Sequence, residues 1–344
     1  CIFRVQGSEI YIGYTWERCG NLWFCKNDFR INIVEKVWDD GMNSLFYQHL
    51  KEIIPEERIL LEEPMSKHTS FRVGGPARYF VRPRNAEEIS SMLHYFQLID
   101  KEYYILGNGS NLLVSDQGYR GVIIEIGQEM DGIRVDGETI VCGGGALLSR
   151  VAHSALNAGL TGLEFASGIP GSIGGAVVMN AGAYGGEMKQ IIKTATVVAA
   201  DGTIMVLSNE ELELDYRTSV FKKQPLVCVE AVLALANGDA EQIRMRMEEL
   251  KEQRRKKQPL EYPSAGSTFK RPEGHFAGKL IMDAGLSGLS IGGAKVSEKH
   301  CGFIINTGNA SAADIKDLID EVIELVAQRF QVRLEPEICM LGEF

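Results

Sequence analysis

The chain's clearest chemical signal is a supply of close-approaching backbone amides. From Gly159 to Gly186 it reads Gly-Leu-Thr-Gly-Leu-Glu-Phe-Ala-Ser-Gly-Ile-Pro-Gly-Ser-Ile-Gly-Gly-Ala-Val-Val-Met-Asn-Ala-Gly-Ala-Tyr-Gly-Gly. Glycines 168, 171, 174, 175, 182, 185 and 186 remove Cβ where backbone must turn sharply or come within hydrogen-bonding distance of another group. A loop of this kind suits phosphate, because clustered N–H groups supply positive potential without a charged side chain. A tight glycine turn packed in a core is the alternative. A second loop, Gly107-Asn-Gly-Ser-Asn-Leu-Leu-Val, weighs against it by repeating the chemistry after the short apolar strand 103–106. This second loop is not a dinucleotide fingerprint, since Asn111 and Leu112 follow Gly107-x-Gly109 where a third glycine should open a helix. Gly274-His-Phe-Ala-Gly-Lys-Leu is a residue short of a Walker A loop and lacks the Ser or Thr after its lysine.

Composition limits what those loops can serve. With 344 residues, 45% hydrophobic and 24% charged, the chain can fill two or three domains. A net charge of −10 argues against nucleic-acid or anionic-membrane partners, so any phosphate site must be local. The seven cysteines (1, 19, 25, 142, 228, 301, 339) are scattered, with no Cys-x-x-Cys pair, which suits a reducing compartment. The six histidines (49, 68, 94, 153, 275, 300) show no metal-ligand spacing, so no metal is expected. No apolar run approaches the ~18 residues of a membrane span and no leader opens the chain, so a cytoplasmic protein is expected. Residues 1–41 are rich in Trp, Tyr, Phe, Arg and Cys without periodicity, whereas Met42 begins a normal amphipathic start. They are expected to be an N-terminal extension outside the fold.

The elements that must carry the two loops follow from periodicity and punctuation. Helical spacing predicts a helix over 45–54, stopped by Pro55. Residues 69–83 read as a strand, a Gly-Gly-Pro turn and a second strand, and Asn85 with Glu88 caps the next helix. Strands are expected over 122–126 and 139–142 around the turn Asp136-Gly137, then a helix over 146–158 closed by Gly159. Strands 194–200 and 203–207 flank the hairpin turn Asp201-Gly202, and 226–236 is a further strand. Asp239 caps a helix through Lys251; the basic run Arg254-Arg-Lys-Lys reads as a solvated helix end, contact with an anionic ligand being the lesser alternative. A helix over 276–283, a strand over 301–306, a helix opened by Ser311 with Asp314 as box partner, and a last strand over 332–338 complete the chain.

Seven motifs in order from Thr69 to Glu337 carry a resemblance. They are Thr69-Ser-Phe-Arg-Val-Gly-Gly-Pro-Ala, Leu106-Gly-Asn-Gly-Ser-Asn-Leu-Leu-Val, Gly168-Ile-Pro-Gly-Ser-Ile-Gly-Gly, Asn180-Ala-Gly-Ala-Tyr-Gly, Tyr216-Arg-x-Ser-Val-Phe, Ala265-Gly-Ser-x-Phe-Lys and Leu334-Glu-Pro-Glu. Together they resemble the UDP-N-acetylenolpyruvoylglucosamine reductases. The resemblance implies an α+β fold: a two-part FAD-binding domain of the vanillyl-alcohol-oxidase type (42–125 and 126–238), then a smaller α/β substrate-binding domain (239–344) ending in a catalytic strand. It implies that FAD is held by Gly107, Asn108, Gly109, Ser110 and Asn111, by Gly168, Ile169, Pro170, Gly171, Ser172, Gly174 and Gly175, and by Asn180, Gly182 and Ala183. The implied reaction reduces the enolpyruvyl ether of UDP-N-acetylglucosamine to UDP-N-acetylmuramate in peptidoglycan precursor synthesis. NADPH is the reductant, and both substrates use one cleft in turn.

By the same resemblance Arg217 and Glu337 sit on the substrate carboxylate and Ser267 delivers the proton after hydride has reached the terminal alkene carbon. Arginine's planar fork suits a carboxylate. An ionised Glu337 would repel the charge that develops there, so it is expected to be protonated, its pKa raised by like charge and burial. Serine can act as the acid because its partner is a carbanion-like centre. Without the family, Ser267 would read as a turn serine, Arg217 as a surface arginine and Glu337 as a strand-end carboxylate. Tyr216, Lys270, Lys279 and Asn306 are further candidates for the UDP-sugar, each with an ordinary surface role as its alternative. No tyrosine lies between Ser267 and Glu337, which matches the shorter family form that lacks a tyrosine-bearing loop. A monomer is expected. Two rivals stand beside this reading: another flavin oxidoreductase of the same fold with a different acceptor, and a nucleotide-sugar-binding protein with no redox role.

Overall fold

The computed structural model describes residues 45–344 and, within 1–44, the backbone of four strands. These pair as two antiparallel hairpins, β1 (Ile2–Val5) with β2 (Ser8–Tyr11) and β3 (Trp16–Cys19) with β4 (Leu22–Cys25). Apart from these strands, the extension expected over 1–41 lies outside the described residues. The chain divides into two compact units, 1–52 and 53–344, and the candidate site lies within the second. Helix α1 (45–53) ends ahead of Pro55, whose ring and missing N–H cannot continue it.

The second unit opens with a four-stranded sheet in the order β5 (Ile59–Pro64), β6 (Pro76–Val81), β9 (Tyr119–Glu125), β7 (Tyr103–Leu106). β6 and β7 both run parallel to β9, so α2 (Ala86–Leu98) crosses over between them. Asn85 caps α2 by accepting a 2.8 Å bond from the Glu88 amide. The strand expected from Thr69 does not form. Arg72 is left-handed at φ 58°, its amide donates back to Thr69, and Thr69 Oγ1 donates to the Val73 carbonyl, closing a turn; β5 pairs with β6 instead. Buried Phe80, Leu106, Ile123, Met65 and Val114 form the core beneath.

β8 (Leu112–Val114) pairs in parallel with the late strand β22 (Cys339–Leu341). The last strand thus falls at 339–341 rather than 332–338. Pro336 has no N–H to give a ladder, so regular pairing begins only beyond it.

A five-stranded antiparallel sheet follows in the order β10 (Ile133–Asp136), β11 (Thr139–Gly143), β17 (Leu226–Ala234), β15 (Ile192–Ala199), β16 (Ile204–Ser208). The expected strand 122–126 forms as the end of β9, but the strand that leads into the Asp136-Gly137 turn and pairs with β11 is β10, 133–136. Asp201-Gly202 joins β15 to β16 as expected. α3 (Leu148–Asn157) closes at Gly159, whose φ of +68° only glycine adopts freely. The short strands β12 (Leu160–Thr161) and β18 (Ala236–Asn237) pair nearby. The glycine run read as a loop contains a helix, α4 (Ile173–Val178), and a small hairpin, β13 (Gly182–Ala183) with β14 (Gly186–Glu187). α5 runs Ala240–Lys257, past Lys251, because its Glu, Gln, Arg and Lys residues all favour helix.

The remaining core surrounds α7 (Ala312–Phe330), opened by the expected Ser311–Asp314 capping box. Its stripe Ile315, Leu318, Ile319, Val322, Ile323 and Val326 is buried against α6 (Ala277–Asp283) and the sheet β19 (Ser290–Ile291), β20 (Ala294–Val296), β21 (Ile304–Asn306). Each such side chain contributes about 1.5–3 kcal/mol on burial. This core reaches Phe71, Leu113 and Ile338, and so joins the last helix to the loop that follows β7.

Candidate active site

β7 ends at Leu106 and the chain turns at once into 107–111, where glycine is required twice. A Cβ on Gly107 would lie 2.5 Å from Ser172 Oγ, and one on Gly109 would lie 1.8 Å from the His68 carbonyl oxygen at a φ of +59°. The absence of those atoms brings the two glycine loops face to face, and Asn108 Nδ2 donates across to the Pro170 carbonyl at 2.9 Å. Among the described residues no acceptor is found for the amides of Asn108, Gly109 or Ser110. Ser172 Oγ is buried without a partner. Buried polar groups are rarely left so, and a cradle of glycines with an orphaned hydroxyl fits a phosphate-bearing cofactor.

The loops form one wall of a cleft of about 680 Å³. Arg217, Ser267 and Glu337 line it as well, so residues far apart in the chain meet there. Glu337 is the only carboxyl group lining the cleft among the described residues, against the cationic side chains Arg217, Lys222, Arg254 and Lys257. A chain of net charge −10 therefore holds a locally positive cleft, which concentrates anions.

Backbone constraints place each of the three. Arg217 sits at the tip of a tight turn in which Asp215 and Thr218 exchange both backbone bonds at 3.1 Å, and its φ of 52° is unfavourable for a side-chain-bearing residue. Ser267 lies between Gly266, at φ +76°, and buried Thr268. Thr268 is held three ways: its amide donates to Gly302, its carbonyl accepts from the Glu337 amide at 2.8 Å, and its hydroxyl accepts from Ile304. One strand-like contact thus fixes serine and glutamate together.

The Arg217 Nε atom is 2.9 Å from Glu337 Oε1, yet its N–H is not aimed along that line, so the contact is a close approach rather than a formed hydrogen bond. Burial raises the Glu337 pKa above its ordinary value, and the opposing pull of Arg217 and Lys270 does not cancel it. The sequence expectation of a carboxyl biased toward its protonated form agrees with this.

Several expected site residues serve other purposes. Asn180 is buried with both amide ends spent, donating to Glu187 and the Asp215 carbonyl and accepting from Lys189; it braces the Arg217 turn. Asn306 is likewise consumed, donating to Phe71 and accepting from Gly308 and Ala310, and does not line the cleft. Lys279 pairs with Asp283 on the surface of α6 and Lys270 pairs with Glu335, so neither lines it. Tyr216 is exposed beside Arg217, its ring 5.8 Å from the guanidinium carbon. Gly168 packs on Arg254, where a Cβ would meet the arginine at 3.2 Å.

Other lining residues were missed. The basic run 254–257 is not simply solvated: Arg255 and Lys256 pair with Glu252, while Arg254 and Lys257, three apart on the same helix face, reach the cleft. Burial lowers the Arg254 pKa, and no acidic partner is found for it among the described residues. His300 also lines the cleft; its Nδ1 accepts from the Gly302 amide at 3.2 Å and burial lowers its pKa, so it stays neutral with its proton on Nε2. Helical spacing signalled the first pair, but nothing local signalled His300. No group of three or more His, Cys, Asp or Glu side chains is placed to hold a metal among the described residues.

Comparison with known proteins agrees with this geometry. Residues 77–208 match a family described as FAD binding domain, and 258–341 match UDP-N-acetylenolpyruvoylglucosamine reductase, C-terminal domain. A UDP-N-acetylenolpyruvoylglucosamine reductase of Lachnoclostridium phytofermentans is 51% identical over 306 residues, 88% of this chain and 99% of that one. The same-named protein of Caldanaerobacter subterraneus is 49% identical over 302 residues, covering 88% and 100%. The crystal structure of the Thermus caldophilus UDP-N-acetylenolpyruvylglucosamine reductase superposes with a TM-score of 0.72 at 35% identity, over 83% of this chain and 99% of that one. With its α+β fold, its FAD-binding domain and that shared C-terminal domain, the chain belongs to the UDP-N-acetylenolpyruvoylglucosamine reductase family.

Proposed function

We propose that this enzyme reduces UDP-N-acetylglucosamine enolpyruvate to UDP-N-acetylmuramate at the expense of NADPH, with Arg217, Ser267 and Glu337 as its catalytic residues. The observation that carries the reading is the meeting of those three side chains in the cleft walled by the glycine loops. The loops 107–110, 169–175 and 181–183 would hold FAD, which would supply the hydride chemistry that links NADPH to the alkene.

The chain's own residues manage charge and proton. The Arg217 guanidinium meets the substrate carboxylate, where negative charge grows as hydride arrives. A preorganised cation there is worth a few kcal/mol. The protonated Glu337 carboxyl donates a hydrogen bond to the same carboxylate and so avoids repelling it. Ser267 Oγ–H gives its proton to the adjacent carbon, completing addition of one hydride and one proton across the double bond. Lys222, Arg254 and Lys257 supply positive charge for the nucleotide diphosphate, and the neutral His300 offers an Nε2–H donor.

The domain limits 42–125, 126–238 and 239–344 belong to this reading. So do a cytoplasmic setting, a monomeric state and the absence of nucleic-acid or membrane partners. The net charge of −10 supports the last, and no described helix is long and apolar enough to cross a membrane. The test is a product analysis: NADPH consumed in equal amount to enolpyruvyl nucleotide, with a product heavier by two hydrogens. NADPH oxidation with no change in the nucleotide would overturn it.

A further inference from the structure

Asn111 ends the 107–111 loop and was expected to contact the cofactor, but its side chain is engaged elsewhere. Asn111 Nδ2 donates to the Glu337 carbonyl at 3.1 Å, and the Asn111 carbonyl accepts from the Cys339 amide at 2.9 Å. The residues that follow, Leu112–Val114, run in parallel register with Cys339–Leu341. On its other side the Glu337 amide donates to Thr268, the neighbour of Ser267. The backbone of the acid is therefore suspended between two loops, one bearing the serine and one presenting open amides to the cofactor. Flanking Pro336 adds no donor of its own.

We propose that Asn111 is a positioning residue for Glu337, setting the register of the acid, and through Thr268 of Ser267, against the loop that holds the cofactor. This rests on the reaction proposed above. The open amides at 108–110 need nothing from the Asn111 side chain, so cofactor affinity and acid placement separate at this residue. In Asn111→Asp the shape is kept, but a carboxylate oxygen replaces the N–H donor and faces a carbonyl oxygen. A displacement of about 1 Å at a reacting group can cost about 100-fold in rate.

The test compares the full-length wild type, Asn111→Asp and Asn111→Ser, the last retaining a donor in case the first folds poorly. Expected for Asn111→Asp are FAD affinity within about threefold of wild type, NADPH bleaching of the flavin unchanged, and flavin return on adding enolpyruvyl nucleotide slowed about 10- to 100-fold. Adding Asn111→Asp to Glu337→Gln should then cost clearly less than it does in the wild type, because part of what it positions is already lost. Loss of FAD with an unchanged return rate per bound flavin would make Asn111 a cofactor contact alone, and equal slowing in the Glu337→Gln background would make it independent of the acid; either overturns the proposal. A readout independent of turnover is amide exchange over 335–341. FAD should slow it in the wild type and not in Asn111→Asp, and identical protection in both would also refute the coupling. A wild type that bleaches but never returns would indict the assigned substrate instead, leaving the exchange experiment to decide the role of Asn111.

Discussion

Replacing Glu337 by glutamine removes the one titratable carboxyl that, among the described residues, lines the cleft, while keeping its size and an N–H donor. The native carboxyl has a side chain only 13% exposed, lies 2.9 Å from Arg217 Nε, and has its pKa raised by burial. Loss of a whole preorganised donor in a water-poor site costs about 100- to 1,000-fold. Glutamine keeps part of that, so flavin reoxidation by the enolpyruvyl nucleotide should fall about 10- to 100-fold, or about 1.4–2.7 kcal/mol. The sign with pH follows from which form works. A protonated Glu337 makes the wild-type rate highest below its folded-state pKa and falling as pH rises through it, at a pH above the ordinary 4.5. Glutamine cannot titrate, so that limb should vanish, and at high pH the wild-type rate should fall to that of the variant and then below it. Stopped-flow absorbance of prereduced enzyme mixed with nucleotide, from acid to alkaline buffers, reads both effects. An unaltered limb in Glu337→Gln would refute the assignment, as would an equal loss of NADPH bleaching, which would mark a general structural defect.

Three further outcomes follow from the same geometry. Ser267→Ala should slow flavin return about 100- to 10,000-fold, the usual range for a positioned proton donor, with NADPH bleaching and FAD content unchanged in the same instrument. Gly109→Ala places a methyl 1.8 Å from the His68 carbonyl oxygen at a φ of +59°, so the loop must move; FAD affinity, read by fluorescence titration, should fall at least about tenfold, since left-handed strain alone costs about 1–2 kcal/mol. Arg254→Ala should raise KM for the nucleotide about tenfold with little change in FAD content, and high salt should narrow its difference from wild type.

The loops were legible in sequence because glycine leaves a record of its own necessity. Gly107 and Gly109 occur where a Cβ would strike another loop, and that requirement is local enough to read. Caps and tight turns were legible for the same reason, as Asn85, Ser311 and Asp201-Gly202 show. Pairings decided at long range were not. Nothing within 69–73 reveals that β5 takes the place beside β6, and the shift of the last strand beyond Pro336 depends on β8, more than two hundred residues earlier. Arg217, Ser267 and Glu337 carried no chemistry singly, and only their ordered motifs promoted them. Asn306 and Asn180 show the converse: candidate polar residues whose side-chain amides are consumed largely by backbone groups. Arg254 was obscured by its neighbours, because a run of four cations reads as solvent-facing until helical geometry divides it.

In the proposed function, one cleft passes hydride from NADPH to an enolpyruvyl nucleotide through bound FAD. The visible spectrum of the purified, FAD-loaded protein under anaerobic conditions tests it most directly. Flavin bands should bleach on adding NADPH and return, in equal amount, on adding UDP-N-acetylglucosamine enolpyruvate. Bands that bleach and stay bleached with that nucleotide present would contradict the substrate, and a protein that takes up no FAD would contradict the reading of both glycine loops.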